Sequence, residues 1–219
     1  YATPWVKQLV AHEYRHAVQY NNLNRGVVKG LSYLLGQQSS TIGLLFMPLW
    51  GIEGDAVVSE TAMSTFGRGL QPSFTIDYRA RSEEIVTHRN IDKWFCGSYK
   101  ESIPDHYALG YQITSYANTK YDENIWDKIV NYSVRNPYVI ATHLVSMKKF
   151  YKTRTSILAR ETFTDLNNFW NRLPAEENSS TMLPVPKQRT YTKYSHPIFF
   201  GSRTVIAVKE SLDRPAALV

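Results

Sequence analysis

Residues 5–20 read WVKQLVAHEYRHAVQY, and this stretch decides the fold because it predicts one long helix with the sequence HEYRH at positions 12–16. Thr3 and Pro4 resemble a helix start, since threonine is a favoured N-cap and proline is tolerated at the first helical position. No residue breaks the helical pattern up to Tyr20, and we expect Asn21, Asn22 and Gly26 to end the helix. The first predicted element of the chain is therefore a long helix.

Two histidines of this helix form a candidate metal site. His12 and His16 are four residues apart, so they lie on one helical face and can bind one zinc ion. Glu13 then stands where a carboxylate can take a proton from water and pass it to a leaving amine. The alternative is that both histidines are hydrogen-bonded core residues, since Trp5 and Leu9 make this part of the helix apolar.

The third ligand of such a site is predicted in residues 48–61, which read PLWGIEGDAVVSET. The pattern Glu-Gly-x-Ala with a second glutamate seven positions later resembles the third-ligand helix of gluzincin metallopeptidases. This resemblance implies that Glu53 is the third zinc ligand. It also implies that Glu60, two turns further along the helix, orients one of the ligand histidines.

A second segment extends the resemblance. Residues 103–111 read IPDHYALGY, which is similar to the Tyr-x-x-Gly helix start of the aminopeptidase branch of gluzincins. The resemblance implies that the Tyr107 hydroxyl stabilises the oxyanion, and His106 is the rival donor for this role. Because the chain has 15 tyrosines, an ordinary packing role for Tyr107 is the alternative.

The apolar pattern after this segment predicts further helices at 111–116, 125–136, 138–151 and 156–171. The predicted fold is therefore mainly α: a helical gluzincin catalytic (C-terminal) subdomain with a short β-containing C-terminal extension. We expect residues 1–175 to form the peptidase domain. Residues 26–47 exceed the spacing usual in aminopeptidases and are interpreted as an insertion near the cleft. Residues 31–52 are interpreted as a loop with two buried or interfacial pieces.

Both ends of the chain suggest a longer parent protein. Gluzincins carry a β-sheet before the HExxH helix, so we expect this sheet to be supplied by the remainder of the parent chain, and this piece alone to be inactive. Residues 176–187 predict a linker, and 189–194 and 204–208 predict two strands. These strands resemble the start of a WD40-like β-propeller, as found after gluzincin domains in large extracytoplasmic proteins.

Composition excludes several classes of protein. Hydrophobic residues make up 43% and charged residues 20% of 219 residues, which excludes a disordered or collagen-like chain. The net charge of +6 is spread out, so no nucleic-acid partner is predicted.

The single cysteine, Cys96, cannot form an intramolecular disulfide and is interpreted as a buried thiol. Arg68, in a Gly-Arg-Gly turn, is interpreted as a surface arginine rather than a contact for a substrate carboxylate.

The sequence thus predicts zinc-dependent peptide hydrolysis, with Zn2+ as the cofactor and a peptide or protein as the substrate. The first alternative is a non-catalytic scaffold module with a structural or relict zinc site. The second is membrane-surface contact through residues 43–50, GLLFMPLW. The resemblance favours an extracytoplasmic location.

Overall fold

The computed structural model describes residues 5–45, 47–87, 91–121, 125–136, 141–173 and 188–219. The chain divides into two compact units. The first consists of Tyr1–Ile91 with Pro104–Leu173, and the second of Asp92–Ile103 with Pro174–Val219. The second unit therefore includes a segment, Asp92–Ile103, that the sequence analysis assigns to the helical domain.

The described residues form eleven α-helices, one 3-10 turn and three strands. In chain order they are α1 (Trp5–Leu23), α2 (Gly26–Leu35), α3 (Gln38–Leu44), α4 (Leu49–Ala62), the 3-10 turn Arg68–Leu70, α5 (Pro72–Ala80), α6 (Ser82–Thr87), α7 (Asp92–Cys96), α8 (His106–Lys120), α9 (Ile125–Arg135), α10 (Thr142–Tyr151), α11 (Thr155–Trp170), β1 (Thr192–Phe200), β2 (Thr204–Ser211) and β3 (Arg214–Leu218).

The prediction of a mainly α protein with a short β-containing C-terminal extension is confirmed. Helices α9 and α11 begin and end within one residue of the predicted limits, because their apolar positions recur at helical spacing. Helix α10 ends at the predicted residue, 151. Its predicted first residues, 138–140, lie outside the described part, as do Thr3, Pro4 and the linker at 176–187.

The interpretation of residues 31–52 as a loop is wrong. Most of these residues lie in α2, α3 and the start of α4, and α1 continues three residues past Tyr20 to Leu23. Gly26 adopts a positive φ of 55°, which redirects the chain so that a new helix can begin there. The helices pack against α1 and α9, with Val28 fully buried.

The centre of the first unit is the crossing of α4 and α8. Two glycines allow this crossing: a Cβ at Gly54 would collide with the backbone of Gly110, and a Cβ at Gly110 would collide with the Trp50 carbonyl oxygen. Helix α1 also packs on α4. Around these helices lies a core of fully buried side chains, including Val57, Tyr78, Ile85, Leu109, Ile113, Ile129, Leu158 and Phe163.

The second unit contains α7 and an antiparallel sheet in the order β1-β2-β3. The sequence analysis missed β3, because its RPAAL sequence has no alternation and contains Pro215. A proline is acceptable there since β3 is an edge strand of this sheet. The pairing of β1 with β2 shifts between Ser195 and Ile198, next to His196, which has a φ of 52°.

The prediction that Cys96 is a buried thiol is wrong, because the residue is exposed. The reason is local: α7 has five residues, and Trp94 occupies its buried face with 1% exposure. A residue two positions after Trp94 points to the opposite side of the helix.

In the part of the chain described, no single helix is long and apolar enough to cross a membrane. Helices α3 and α4 reach this length and composition only as a pair, and they are bent by 102° relative to each other.

The glycine contact between α4 and α8 gives a stability prediction. Gly110→Ala should lower the free energy of unfolding by about 1–3 kcal/mol, since the added methyl group forces two backbones apart. Gly30→Ala is the matched control: Gly30 lies in α2, and a Cβ there has no neighbour within 4 Å. We expect it to stabilise by up to ~1 kcal/mol through helix propensity. Urea unfolding measures both, and equal effects would contradict the close crossing.

Candidate metal centre

The three predicted ligands converge between α1 and α4. The Nε2 atoms of His12 and His16 lie 3.1 Å apart. Each of these nitrogens is 3.3 Å from Oε2 of Glu53. Within the described residues, this is the group of histidine, cysteine and acidic side chains that could hold a metal ion.

The spacing of the three atoms fits a tetrahedral metal site. Donors about 2.0–2.1 Å from a zinc ion in tetrahedral geometry lie about 3.3–3.4 Å from one another. The observed separations of 3.1 and 3.3 Å are close to this value. Glu53 Oε2 is buried and has no hydrogen-bond partner among the described residues, which leaves it available for a cation.

Hydrogen bonds to the opposite ring nitrogens direct both Nε2 lone pairs to this point. Nδ1 of His12 lies 3.0 Å from Glu60 Oε2, and Nδ1 of His16 lies 2.8 Å from Gln19 Oε1. Both oxygens are acceptors and favour the tautomer with the proton on Nδ1 in each neutral ring, while Arg68 Nη2, a donor, also lies 3.0 Å from His12 Nδ1. Two nitrogen lone pairs and a carboxylate oxygen then face one another. This arrangement is repulsive unless a cation lies among them.

In the metal-free protein a proton is the available cation. Contacts with Glu53 and Glu60 raise the pKa of His12 to about 9, although burial lowers it. Burial raises the pKa of Glu53, but the contacts with His12 and His16 outweigh this and hold it well below its usual range. The cluster therefore attracts positive charge strongly.

Glu60 stands where the resemblance implies an orienting residue. Its side chain is 1% exposed, and besides His12 it accepts two hydrogen bonds from Arg68: Nε donates to Oε1 at 2.6 Å and Nη2 to Oε2 at 2.7 Å. This bidentate pair holds the carboxylate against His12. Burial raises the pKa of Glu60, but hydrogen bonds from Arg68 and His12 lower it overall.

The interpretation of Arg68 as an ordinary surface arginine is wrong. The 3-10 turn that carries Arg68 packs closely on α8, because a Cβ at Gly69 would collide with the Tyr111 ring. The guanidinium also lies 5.6 Å from the centre of the Tyr107 ring. The sequence analysis missed this role because Arg68 and Glu60 are not on one helix.

Gln19 is the second residue at the candidate site that the sequence analysis missed. It accepts from His16, and its amide nitrogen donates to the Ile52 carbonyl at 3.0 Å and to Asp55 Oδ2 at 2.7 Å. Arg15 binds the same carboxylate of Asp55 through two hydrogen bonds of 2.7 and 3.0 Å. The spacing of three residues from His16 could have indicated Gln19.

The two candidate oxyanion donors lie at the start of α8. The centre of the Tyr107 ring is 6.0 Å from that of His12. Burial and the nearby Glu53 carboxylate raise the pKa of Tyr107, so its hydroxyl keeps its proton. The ring centre of His106 lies 4.6 Å from that of Tyr107, with the two rings tilted by 39°, and His106 Nδ1 lies 3.3 Å from Asp105 Oδ1. No described contact joins His106 to the three candidate ligands.

The helix crossing explains why Tyr107 and Glu53 meet. Glu53 precedes Gly54, one of the two glycines at the crossing, and Tyr107 lies one turn before Gly110, the other. Asp105 fixes the start of α8 by accepting a hydrogen bond from the Tyr107 amide at 3.1 Å. The backbone contact thus places a phenol beside the candidate ligand.

Glu13 is exposed on α1, one residue after His12. Within the described residues, no hydrogen bond or ion pair occupies its carboxylate. The carboxylate is therefore accessible to water.

Comparisons of this chain with protein-family profiles, curated proteins and solved structures gave no match.

The Glu60–Arg68 pair gives the second prediction. Glu60→Gln should lower the free energy of unfolding by about 1–3 kcal/mol, because it removes the negative charge of a buried carboxylate that accepts two hydrogen bonds from Arg68. It should also weaken metal binding about 10–100-fold, since His12 loses its charged acceptor. Urea unfolding and chelator competition measure the two effects.

Glu84→Gln is the matched control. Glu84 also accepts two hydrogen bonds from one arginine, Arg81, but this pair lies on the surface, 49% exposed at the glutamate. Such pairs contribute about 0–1 kcal/mol. If Glu60→Gln and Glu84→Gln changed metal affinity equally, Glu60 would not support the metal centre.

Proposed function

We propose that this protein is a zinc-dependent peptidase of gluzincin type. The observation that carries the proposal is the convergence of three lone pairs, from His12, His16 and Glu53, at separations of 3.1 to 3.3 Å. Convergence of this kind is costly unless a metal ion or a proton lies among the three atoms. The HExxH sequence and its resemblance to gluzincins supply the rest of the proposal.

The donor set favours zinc over magnesium and calcium. Two imidazole nitrogens and one carboxylate oxygen suit Zn2+, whereas Mg2+ and Ca2+ prefer sets made of oxygen. Three protein ligands leave one coordination position for water, which is the pattern of catalytic rather than structural zinc sites. A structural site with four protein ligands would require another donor, and within the described residues the metal-binding group has three members.

The roles of the protein residues follow from their positions. A bound zinc ion would polarise the peptide carbonyl and make water acidic enough to lose a proton near neutral pH. Glu13 accepts this proton and delivers it to the leaving amine, because its exposed carboxylate follows a ligand directly. The Tyr107 hydroxyl donates a hydrogen bond to the negative oxygen, and His106 is the second candidate for this task.

Glu13→Gln tests the mechanism. The substitution keeps the size of the side chain but removes the base, so zinc content should stay unchanged while turnover falls about 10²–10⁴-fold. The assay is cleavage of a diverse peptide library by the full-length protein, followed by mass spectrometry. The positions of the cuts would also distinguish an exopeptidase from an endopeptidase.

Glu83→Gln, at an exposed glutamate in the first turn of α6, is the matched control and should leave turnover unchanged. Full activity of Glu13→Gln would refute the role of Glu13. Zinc bound by the full-length protein without any peptide cleavage would favour the alternative, a scaffold module with a structural or relict site.

A further inference from the structure

Gln19 is hydrogen-bonded to the candidate ligand His16, and unlike Glu60, the partner of His12, its side chain is neutral. Its side chain makes three hydrogen bonds, to His16, to the Ile52 carbonyl and to Asp55. Two of these partners, the Ile52 oxygen and the Asp55 carboxylate, can only accept. The amide nitrogen must therefore face them, and the amide oxygen must face His16.

This orientation determines the tautomer of His16. Because Gln19 Oε1 is an acceptor 2.8 Å from Nδ1, the proton of the neutral ring lies on Nδ1. The lone pair of Nε2 then points at His12 Nε2 and Glu53 Oε2, 3.1 and 3.3 Å away. Asp55 is 6% exposed and is itself fixed by Arg15. The series Arg15–Asp55–Gln19–His16 thus runs from the surface of α1 to the candidate metal.

We propose that Gln19 is a positioning residue for the metal: held by Asp55, its amide fixes the tautomer and ring orientation of His16. This inference rests on the proposed zinc site. It assigns Asp55 and Arg15 a supporting role, parallel to that of Arg68 behind Glu60. The two histidines would then be held differently, His12 by a carboxylate and His16 by a neutral amide.

The test measures zinc affinity by chelator competition for wild type and Gln19→Leu. Gln19→Leu should bind zinc about 10–100-fold more weakly, the usual loss when a partner of a ligand histidine is removed. In the cobalt(II)-loaded protein, the visible spectrum should shift away from that of the wild type, because the metal loses a well-placed nitrogen. A purely structural role would lower the free energy of unfolding and leave the spectrum unchanged.

Gln8→Leu is the matched control. Gln8 lies on the same helix and donates one hydrogen bond, to the Phe66 carbonyl at 2.8 Å. It contacts neither histidine through any described hydrogen bond. We expect its zinc affinity and cobalt spectrum to match those of the wild type.

A second pair of variants tests the proposal even if Gln19→Leu does not fold. Gln19→Glu keeps an acceptor for His16 but places a carboxylate against Asp55, so it should bind zinc weakly. Adding Asp55→Asn restores a donor opposite that carboxylate and should strengthen zinc binding again. If Asp55→Asn gave no recovery, or Gln19→Leu matched Gln8→Leu, the role of Gln19 would be refuted while the zinc site stood. Absence of zinc from the wild type would refute both.

Discussion

The contact on which the site depends is the crossing of α4 and α8 at Gly54 and Gly110. Because neither residue has a Cβ, the two helix backbones touch, and no other residue type would fit there. This contact fixes the position of Glu53 on α4 relative to Tyr107 on α8. Helix α1 then packs on α4 and brings His12 and His16 to the same point. Helix packing at fixed distances therefore builds the site.

Charge pairing stabilises what helix packing assembles. Burying a carboxylate such as Glu60 or Asp55 is costly unless it is paired and hydrogen-bonded. Each of the two is met by an arginine with two hydrogen bonds, Arg68 and Arg15 respectively. The arginines lie at the margins, about one third exposed, while the carboxylates lie inside. The two arginines therefore stabilise the carboxylates that support the histidines, Glu60 directly and Asp55 through Gln19. The Nε2 atoms of the histidines and Oε2 of Glu53 face one another, where a cation can bind.

Sequence reasoning from helical periodicity predicted one part of this site: His12 and His16 lie four residues apart and therefore share a helix face. Glu53, Glu60 and Tyr107 were predicted only through the resemblance of their segments to gluzincins. Arg68 and Gln19 were missed because their roles depend on a turn packed on α8 and on a hydrogen bond across to α4. Helix α2 was missed although Val27, Val28, Leu31, Leu34 and Leu35 recur at helical spacing, because glycines and polar residues interrupt the segment.

The account's central claim is that one zinc ion binds among His12, His16 and Glu53. The most direct measurement is X-ray absorption at the zinc edge, combined with elemental analysis of the purified protein. The account predicts one zinc per chain with two imidazole ligands and oxygen donors at about 2.0–2.1 Å. It also predicts loss of this zinc in His12→Ala. A zinc-loaded spectrum without imidazole ligands, or a protein that takes up no zinc after reconstitution, would contradict the claim.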